Sequence, residues 1–210
     1  MFRVSNSVMA VLTAGLLLLV AAPAAADLVL NEVFYDPAGT DLGHEWVELW
    51  NAGSGPLALD GIAVETTDAA RPEVWTPVFR GSAGDSVAAH AAFLIPPTAL
   101  TGALQNGPDA IRLVRDGVVL DLLGYGALDV PALFRGAPAP DVASEHGLAR
   151  RVDGGDTGSN AEDWEEEAAP TPGRPNHPAE RIELVHGALT LDPALPWPGE
   201  AVRLRVRAVN

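Results

Sequence analysis

Carboxylates are the side chains of this sequence with the most scope for chemistry. Glu45 and Glu48 are three positions apart in an apolar run, so on a β-strand they point to opposite faces. They cannot form an acid/base pair through that strand alone, although Glu32, on a neighbouring predicted strand, could approach one of them. Buried carboxylates require hydrogen-bonded or charged partners. We therefore expect backbone N–H groups or arginines to satisfy these three side chains, rather than a catalytic role.

A second group of oxygen-bearing side chains lies in a glycine-containing loop. Asp153, Asp156, Asn160 and Asp163 offer the kind of ligand that Ca²⁺ prefers, but their spacing is not that of an EF-hand. Asp and Asn also stabilise turns by hydrogen-bonding to their own backbone, which explains the same composition without a metal. The loop is a weak candidate for a calcium site, and the sequence predicts no other cofactor.

The sequence offers no other arrangement of residues for catalysis. Its five histidines form neither H-E-x-x-H nor any pair at metal-ligand spacing, and its serines lie outside G-x-S-x-G. Cysteine and lysine are missing, which removes thiolate chemistry, disulfides and the lysine of a phosphate-binding loop. These 210 residues therefore predict a protein region without a catalytic site.

Charge restricts the class of partner. The chain has 13 arginines against 28 acidic residues, a formal net charge of -15 at pH 7. Phosphate backbones are bound by basic surfaces, so this balance argues against a nucleic acid. Trp46 and Trp50 share a strand face and could stack on a sugar, although packing against apolar neighbours is the ordinary role of such aromatics. We expect an unidentified protein or a cell-surface ligand as the partner.

Residues 1–26 are typical of a secretory signal peptide. Arg3 supplies a positive start, residues 8–20 form an apolar run, and Ala24-Ala25-Ala26 precedes Asp27 as a cleavage site. The run is shorter than the ~20 apolar residues that a spanning helix needs. We expect an exported protein, located in the medium, at the cell surface or in the periplasm, with no stable membrane span after cleavage.

The remainder of the chain is patterned for β-structure. Short apolar or alternating runs are separated by Gly, Pro, Asn and Asp, as in a sandwich or barrel. The runs cover residues 28–35, 45–51, 57–65, 74–79, 86–95, 110–115 and 118–125. Asp116-Gly117 predicts a tight hairpin between the last two runs. Pro77 restricts the run at 74–79 to an edge strand or a loop.

A proline-rich stretch at residues 170–180 sets a domain boundary. It divides the chain into a first domain at 27–176, the end of a linker at 177–180 and a second segment at 181–210. Residues 201–209 alternate apolar side chains with Arg203, Arg205 and Arg207, which is typical of a half-buried strand. Two or three strands cannot bury a core alone. The second segment is therefore expected to be the start of an incomplete second β-sandwich.

Several motifs occur in a characteristic order along the first domain. LVLNEVFYDP at 28–37 is followed by EWVELWN at 45–51, LALDG at 57–61, GPDAIRL at 107–113 and TPGRPN at 171–176. Together they resemble the lamin-tail domain family, in its bacterial secreted form. The residues that carry the resemblance are Asn31, Glu32, Tyr35, Pro37, Glu45, Trp46, Glu48, Leu49, Asn51, Gly61, Asp121, Tyr125, Gly126, Arg150, Asp156, Trp164, Pro172, Gly173 and Asn176.

The resemblance implies an all-β, immunoglobulin-like β-sandwich that acts as a non-catalytic extracellular interaction or spacer module. Residues 181–210 resemble the start of a CARDB domain, an adhesion-related sandwich of bacteria. Two alternatives stay open. The chain could be the accessory N-terminal region of a secreted hydrolase, of the nuclease or phosphoesterase type, whose catalytic domain lies beyond residue 210. It could instead be an adhesion module stabilised by calcium through the loop at 153–163.

Overall fold

Short alternating runs build two facing antiparallel sheets from residues 27–176, the part of the chain that the computed structural model describes. In chain order the strands are β1 (Leu28–Phe34), β2 (Trp46–Asn51), β3 (Leu57–Ala58), β4 (Ile62–Asp68), β5 (Thr76–Arg80), β6 (Ser86–Val87), β7 (Ala91–Ile95), β8 (Asp109–Arg115), β9 (Val118–Tyr125), β10 (Gly147–Arg150) and β11 (Trp164–Glu167). A single helical turn, α1 (Asn160–Asp163), precedes β11. Short 3-10 turns lie at Pro97–Ala99 and Pro131–Leu133.

The first sheet has five strands in the order β11-β10-β1-β2-β7, and the second has four in the order β5-β4-β8-β9. Strands β3 and β6 form a separate pair. Inward-facing side chains of both sheets, among them Leu30, Leu49 and Leu113, make one continuous apolar core. The predicted all-β sandwich is confirmed. The predicted signal peptide at 1–26, the linker end at 177–180 and the second domain at 181–210 lie outside the described residues.

Most predicted runs match observed strands, and the differences occur at turns. The run at 57–65 is divided by Gly61, whose φ of 75° requires the left-handed region that glycine adopts easily. The run at 86–95 is divided at His90, whose φ is 51°. The two short strands β10 and β11 were not predicted, because GLAR and WEEE are four residues each and lack an apolar alternation.

Two local predictions from turn and strand chemistry are confirmed. Asp116 and Gly117 have φ values of 49° and 83° and connect β8 to β9, as the tight hairpin requires. Pro77 lies in β5, which is an edge strand of the four-stranded sheet.

No helix among residues 27–176 is long and apolar enough to cross a membrane.

A bulge in β1 positions the polar residues on the outer face of the five-stranded sheet. Leu30 is opposite Leu49 and Glu32 is opposite Glu48, which leaves Asn31 as an extra residue in β1. The extra residue shifts the alternation by one position. As a result Leu30 and Val33 both face the core, whereas Glu32 and Glu48 lie side by side on the opposite face.

Candidate functional site

Two buried glutamates lie next to each other on the outer face of the five-stranded sheet and hold the end of the described chain. Both side chains have 0% exposure. The Thr171 backbone N–H donates to both carboxylate oxygens of Glu32 at 3.1 Å, and the Thr171 hydroxyl donates to Glu32 Oε2 at 2.9 Å. The Gly173 N–H donates to Glu48 Oε2 at 2.7 Å. We call residues 170–176 the closing segment, because these bonds fix it across β1 and β2.

Asn176 completes the attachment of the closing segment. Its side-chain Nδ2 donates to the carbonyl oxygens of Asn31 at 3.1 Å and Arg150 at 2.9 Å. Its backbone N–H donates to Asp153 Oδ1 at 3.0 Å. The bulged Asn31 links the same groups, since its Nδ2 donates to Asp153 Oδ1 at 2.9 Å and to Glu48 Oε1 at 3.0 Å. The bulge and the closing segment therefore form one polar network.

This network contains acidic groups without a cationic partner. Among the described residues, no arginine or histidine forms an ion pair with Glu32, Glu48 or Asp153. Burial raises the pKa of Glu48 to about 7, against the hydrogen bonds from Asn31 and Gly173 and with additional repulsion from Glu32 and Asp153. Burial also raises the pKa of Glu32. Both carboxyl groups therefore hold a proton more tightly than an exposed glutamate does.

A buried ion pair inside the sandwich binds the backbone of β1. Arg150 Nη2 donates to Asp121 Oδ2 at 2.7 Å, and both side chains are 1% exposed. Leu30 binds both members of the pair: its N–H donates to Asp121 Oδ2 at 3.0 Å, and its carbonyl accepts from Arg150 Nε at 2.6 Å. Trp164 packs with its ring centroid 4.8 Å from the guanidinium carbon. The pair thus takes the place of a neighbouring strand at this point of β1.

Asn160 takes the place of a neighbouring strand beside β9. Its Nδ2 donates to the Leu122 carbonyl at 2.9 Å, and its Oδ1 accepts from the Gly124 N–H at 3.0 Å. The same oxygen accepts from the Arg135 N–H at 3.0 Å. A side-chain amide carries one acceptor and two donors, so it reproduces the hydrogen-bonding pattern of a strand backbone. The C-terminal half of the β9 edge is therefore occupied by a side chain.

Two further buried carboxylates bind backbone in the same way. Glu45 accepts from the Leu104 N–H at 3.0 and 3.1 Å, and burial raises the pKa of Glu45 to about 7. Asp109 accepts from the Ala69 N–H at 2.8 Å, and burial raises its pKa as well. Every buried carboxylate of residues 27–176 accepts at least one backbone N–H; the six are Glu32, Glu45, Glu48, Asp109, Asp121 and Asp163.

Two tyrosines of the predicted set meet in the core. The rings of Tyr35 and Tyr125 stack with centroids 4.6 Å apart. The Tyr35 hydroxyl donates to Asp141 Oδ1 at 2.8 Å, and the Tyr125 hydroxyl donates to the Gln105 carbonyl at 2.6 Å. Burial raises the pKa of both phenols, which keeps them neutral donors. Their contacts connect loops at one end of the sandwich and leave no free reactive group.

The rest of the predicted set is distributed through the fold. Asn51 donates to three carbonyls of the neighbouring loops, those of Gly55, Val87 and Ala88. Trp46 is buried and stacks on Phe34 with centroids 5.7 Å apart. Buried positions are also held by Pro37 and Leu49. Positive φ values occur at Gly61, Gly126 and Gly173. Pro172 is exposed.

The four oxygen-bearing residues of the loop at 153–163 have separate partners. Asp156 pairs with Arg135 at 2.8 Å, and Asp163 Oδ1 accepts from the Thr157 N–H at 2.9 Å. Asp153 belongs to the network of the closing segment, and Asn160 binds β9. No group of three or more His, Asp or Glu side chains within 27–176 is arranged to hold a metal ion.

We therefore expect the melting temperature of the protein to be the same in millimolar calcium and in chelator. The oxygens that would bind the ion already accept backbone or arginine N–H groups, so a bound ion would have to displace them. A site filled at ~100 times its dissociation constant would add ~2.7 kcal/mol to the free energy of unfolding. A rise of several degrees on adding calcium would contradict the expectation.

Asn176 provides a test of the closing segment. Asn176→Ala removes two donated hydrogen bonds and leaves buried carbonyls of Asn31 and Arg150 without them. We expect the free energy of unfolding in urea to fall by about 1–2 kcal/mol. Arg174→Ala is the matched control, since Arg174 is exposed and its side chain makes no hydrogen bond within the described residues. Equal stability of the two variants would show that the Asn176 side chain does not fasten the segment.

A comparison with family models places this geometry in a known group. The model described as Lamin Tail Domain matches residues 21–127, half of the chain. The chain belongs to the lamin tail domain family. Lamin tail domains are non-catalytic immunoglobulin-like modules, and the sandwich described above has that architecture. The matched residues include Glu32, Glu45, Glu48 and Asp121, whereas the closing segment lies beyond them.

Neither a comparison with curated proteins nor one with solved structures finds a match for this lamin tail domain. Residues 128–176 lie beyond the part of the chain that the family model matches, and their contacts are seen only in the structure. Sequence reasoning anticipated backbone or arginine partners for the three glutamates. It did not identify the partners themselves, Thr171, Gly173 and Leu104, because each donates through its backbone N–H, which no side-chain pattern reveals.

Proposed function

We propose that this lamin tail domain is a non-catalytic interaction or spacer module of an exported protein. The observation that carries the proposal is that the buried acidic residues form hydrogen bonds within the fold itself. All six buried carboxylates of residues 27–176 accept backbone N–H groups, and Glu45 and Glu48, whose pKa values burial raises to about 7, fasten a loop and the closing segment. A general acid or base must instead reach a substrate from within a cleft.

The export part of the proposal rests on sequence. Residues 1–26 have the charged start, apolar run and small-residue cleavage site of a signal peptide. The chain also lacks cysteine, so its stability does not depend on the redox state of its compartment. We propose the cell exterior or the periplasm as the location, and a protein or cell-surface ligand as the partner.

One set of measurements tests both parts. The protein expressed with its own N-terminus is purified from the exported fraction, weighed as an intact chain, and assayed against nucleic-acid, phosphodiester and ester substrates. We expect a mass that starts at Asp27 and no turnover above the level of a Glu32→Gln and Glu48→Gln double variant. Turnover that the double variant abolishes would contradict the non-catalytic role. Retention of residues 1–26 inside the cell would contradict export.

A further inference from the structure

The edges of the two sheets differ in how they are protected. Edge strands expose unpaired N–H and C=O groups, which proteins block with proline, charge or a covering side chain. In β5, Pro77 lacks an N–H, and the Val78 carbonyl accepts from the Thr101 N–H at 2.8 Å. Asn160 covers β9. β11 carries three glutamates at 165–167. Three of the four edges of the described sandwich thus have a block.

β7 is the fourth edge, and it has none of these features. Its sequence AAFLI contains no charge and no proline, and its first four residues are half-buried. It is five residues long, enough for a strand to pair along it. An uncharged, regular edge strand is the usual template for an additional strand.

The backbone groups that β7 presents can be identified from its pairing with β2. Asn51 is opposite Ala91, and the Asn51 carbonyl faces β7, since it accepts from the His90 N–H at 2.8 Å. The N–H and C=O groups of successive strand residues point to alternate sides. Every second residue from Ala91 therefore bonds to β2, and the backbone groups of Ala92 and Leu94 point away from it. No hydrogen bond from the described residues reaches them on that side.

A strand added at this edge would also find a place for its inward side chains. The ring of Phe93 lies with its centroid 6.3 Å from that of Phe79 on β5. Phe79 lines a groove of about 510 Å³, whose other residues are both apolar and polar: Pro77, Ala99, Arg80, Ser82, Asp85 and Thr101. Alternate side chains of the added strand would lie on the same face as Phe93, towards Phe79, because alternate residues of a strand share a face.

Charge decides the kind of strand. Residues 27–176 contain 8 arginines and 24 acidic residues, a formal net charge of -16. A second copy of the domain would carry the same charge and be repelled, whereas a basic segment would be attracted. We propose that the free edge of β7 binds an extended basic segment of another polypeptide as an added strand. The proposal rests on the proposed role as an interaction module and names its partner class.

The test uses the exported chain and a labelled peptide of about nine residues that alternates valine with arginine. We expect binding by fluorescence anisotropy at physiological ionic strength. Ala92→Pro removes a donor on the free edge while leaving the bonds to β2, and should weaken binding about ten-fold or more. Ala92→Val, which keeps the N–H at the same position, is the matched control and should bind within about two-fold of the unchanged chain. Urea unfolding of both variants verifies that they fold.

Each other outcome would overturn the proposal. Equal affinity of Ala92→Pro and the unchanged chain would show that the peptide binds by charge alone, away from β7. No binding of the peptide, or equal binding of one that alternates valine with glutamate, would exclude a basic strand. Dimers in sedimentation that Ala92→Pro dissociates would assign the edge to a second copy. All these results leave a spacer role intact, whereas catalytic turnover would contradict the proposed function whatever the peptide does.

Discussion

Arg150→Met is expected to lower the free energy of unfolding of the lamin tail domain by about 3–5 kcal/mol. The substitution keeps an apolar stem against Trp164 but removes the cation 2.7 Å from the buried Asp121 carboxylate, which keeps only the more distant Arg135, at 3.8 Å. It also removes the donor to the Leu30 carbonyl at 2.6 Å. Breaking one member of a buried pair is costly because the remaining charge stays out of water. Urea unfolding followed by tryptophan fluorescence measures the change.

The neighbouring arginine is a matched control for Arg150. Arg151 also pairs with a carboxylate, that of Glu165, but its side chain is 49% exposed. Arg151→Met should therefore change the free energy of unfolding by less than about 1 kcal/mol. Similar losses for the two variants would mean that the Arg150–Asp121 pair does not close the sandwich at β1.

The stability of the domain should fall as the pH rises from about 5 to about 8. Burial raises the pKa of both Glu48 and Glu45 from 4.5 to about 7 in the folded protein. Between these values the folded state binds more protons than the unfolded chain, so raising the pH favours unfolding. The contribution is fully present below about 4.5 and is lost as the pH passes through 7. Each carboxyl should account for on the order of 2 kcal/mol, since one pKa unit corresponds to about 1.4 kcal/mol.

Glu48→Gln isolates the share of one carboxyl in this pH dependence. A glutamine does not titrate, so the slope of the free energy of unfolding against pH should become shallower between pH 5 and 8. Its amide also replaces one acceptor with a donor, which lowers stability at every pH without altering the slope. Glu73→Gln, at an exposed position, should keep the slope of the unchanged chain. An unchanged slope in Glu48→Gln would show that Glu48 is already ionised at pH 5.

The sequence predicts the features of this fold that depend on neighbouring residues. Asp116-Gly117 determines a hairpin because both residues tolerate positive φ, and Pro77 determines an edge because it lacks an N–H. The general expectation that backbone or arginine groups satisfy the glutamates follows from the cost of burying a charge. None of these inferences depends on which distant residues are in contact in the fold.

The remaining features depend on contacts between distant parts of the chain. Thr171 binds Glu32 across 139 positions, and Asn176 binds Asn31 across 145. The bulge at Asn31 reverses the alternation within a run that otherwise looks regular. Arg150 is placed in the interior by partners on four other elements, β1, β9, α1 and β11, although its own strand is four residues long. Local patterns do not contain this information, because it arises only when the sheets pack.

The same contacts explain the roles of several residues that carry the family resemblance. Asp121 and Arg150 bind the backbone of Leu30, a residue of β1 that β10 does not pair with. Asn160, which is not one of the motif residues, binds the edge of β9 in the same way. Glu32 and Glu48 bind the closing segment on the outer face. Polar residues at these positions therefore complete the sheets of the sandwich, a role in which side-chain length and hydrogen-bonding capacity are both restricted.

Hydrogen exchange of four backbone amides tests the central claim, that the buried carboxylates of this lamin tail domain are structural groups that hold backbone. The amides are those of Leu30, Leu104, Thr171 and Gly173, which donate to Asp121, Glu45, Glu32 and Glu48. We predict that all four exchange as slowly as the amides of the central strands, opening only with unfolding of the domain. Exchange of the Leu104, Thr171 and Gly173 amides at the rate of exposed loops would contradict the claim and release the glutamates for another function.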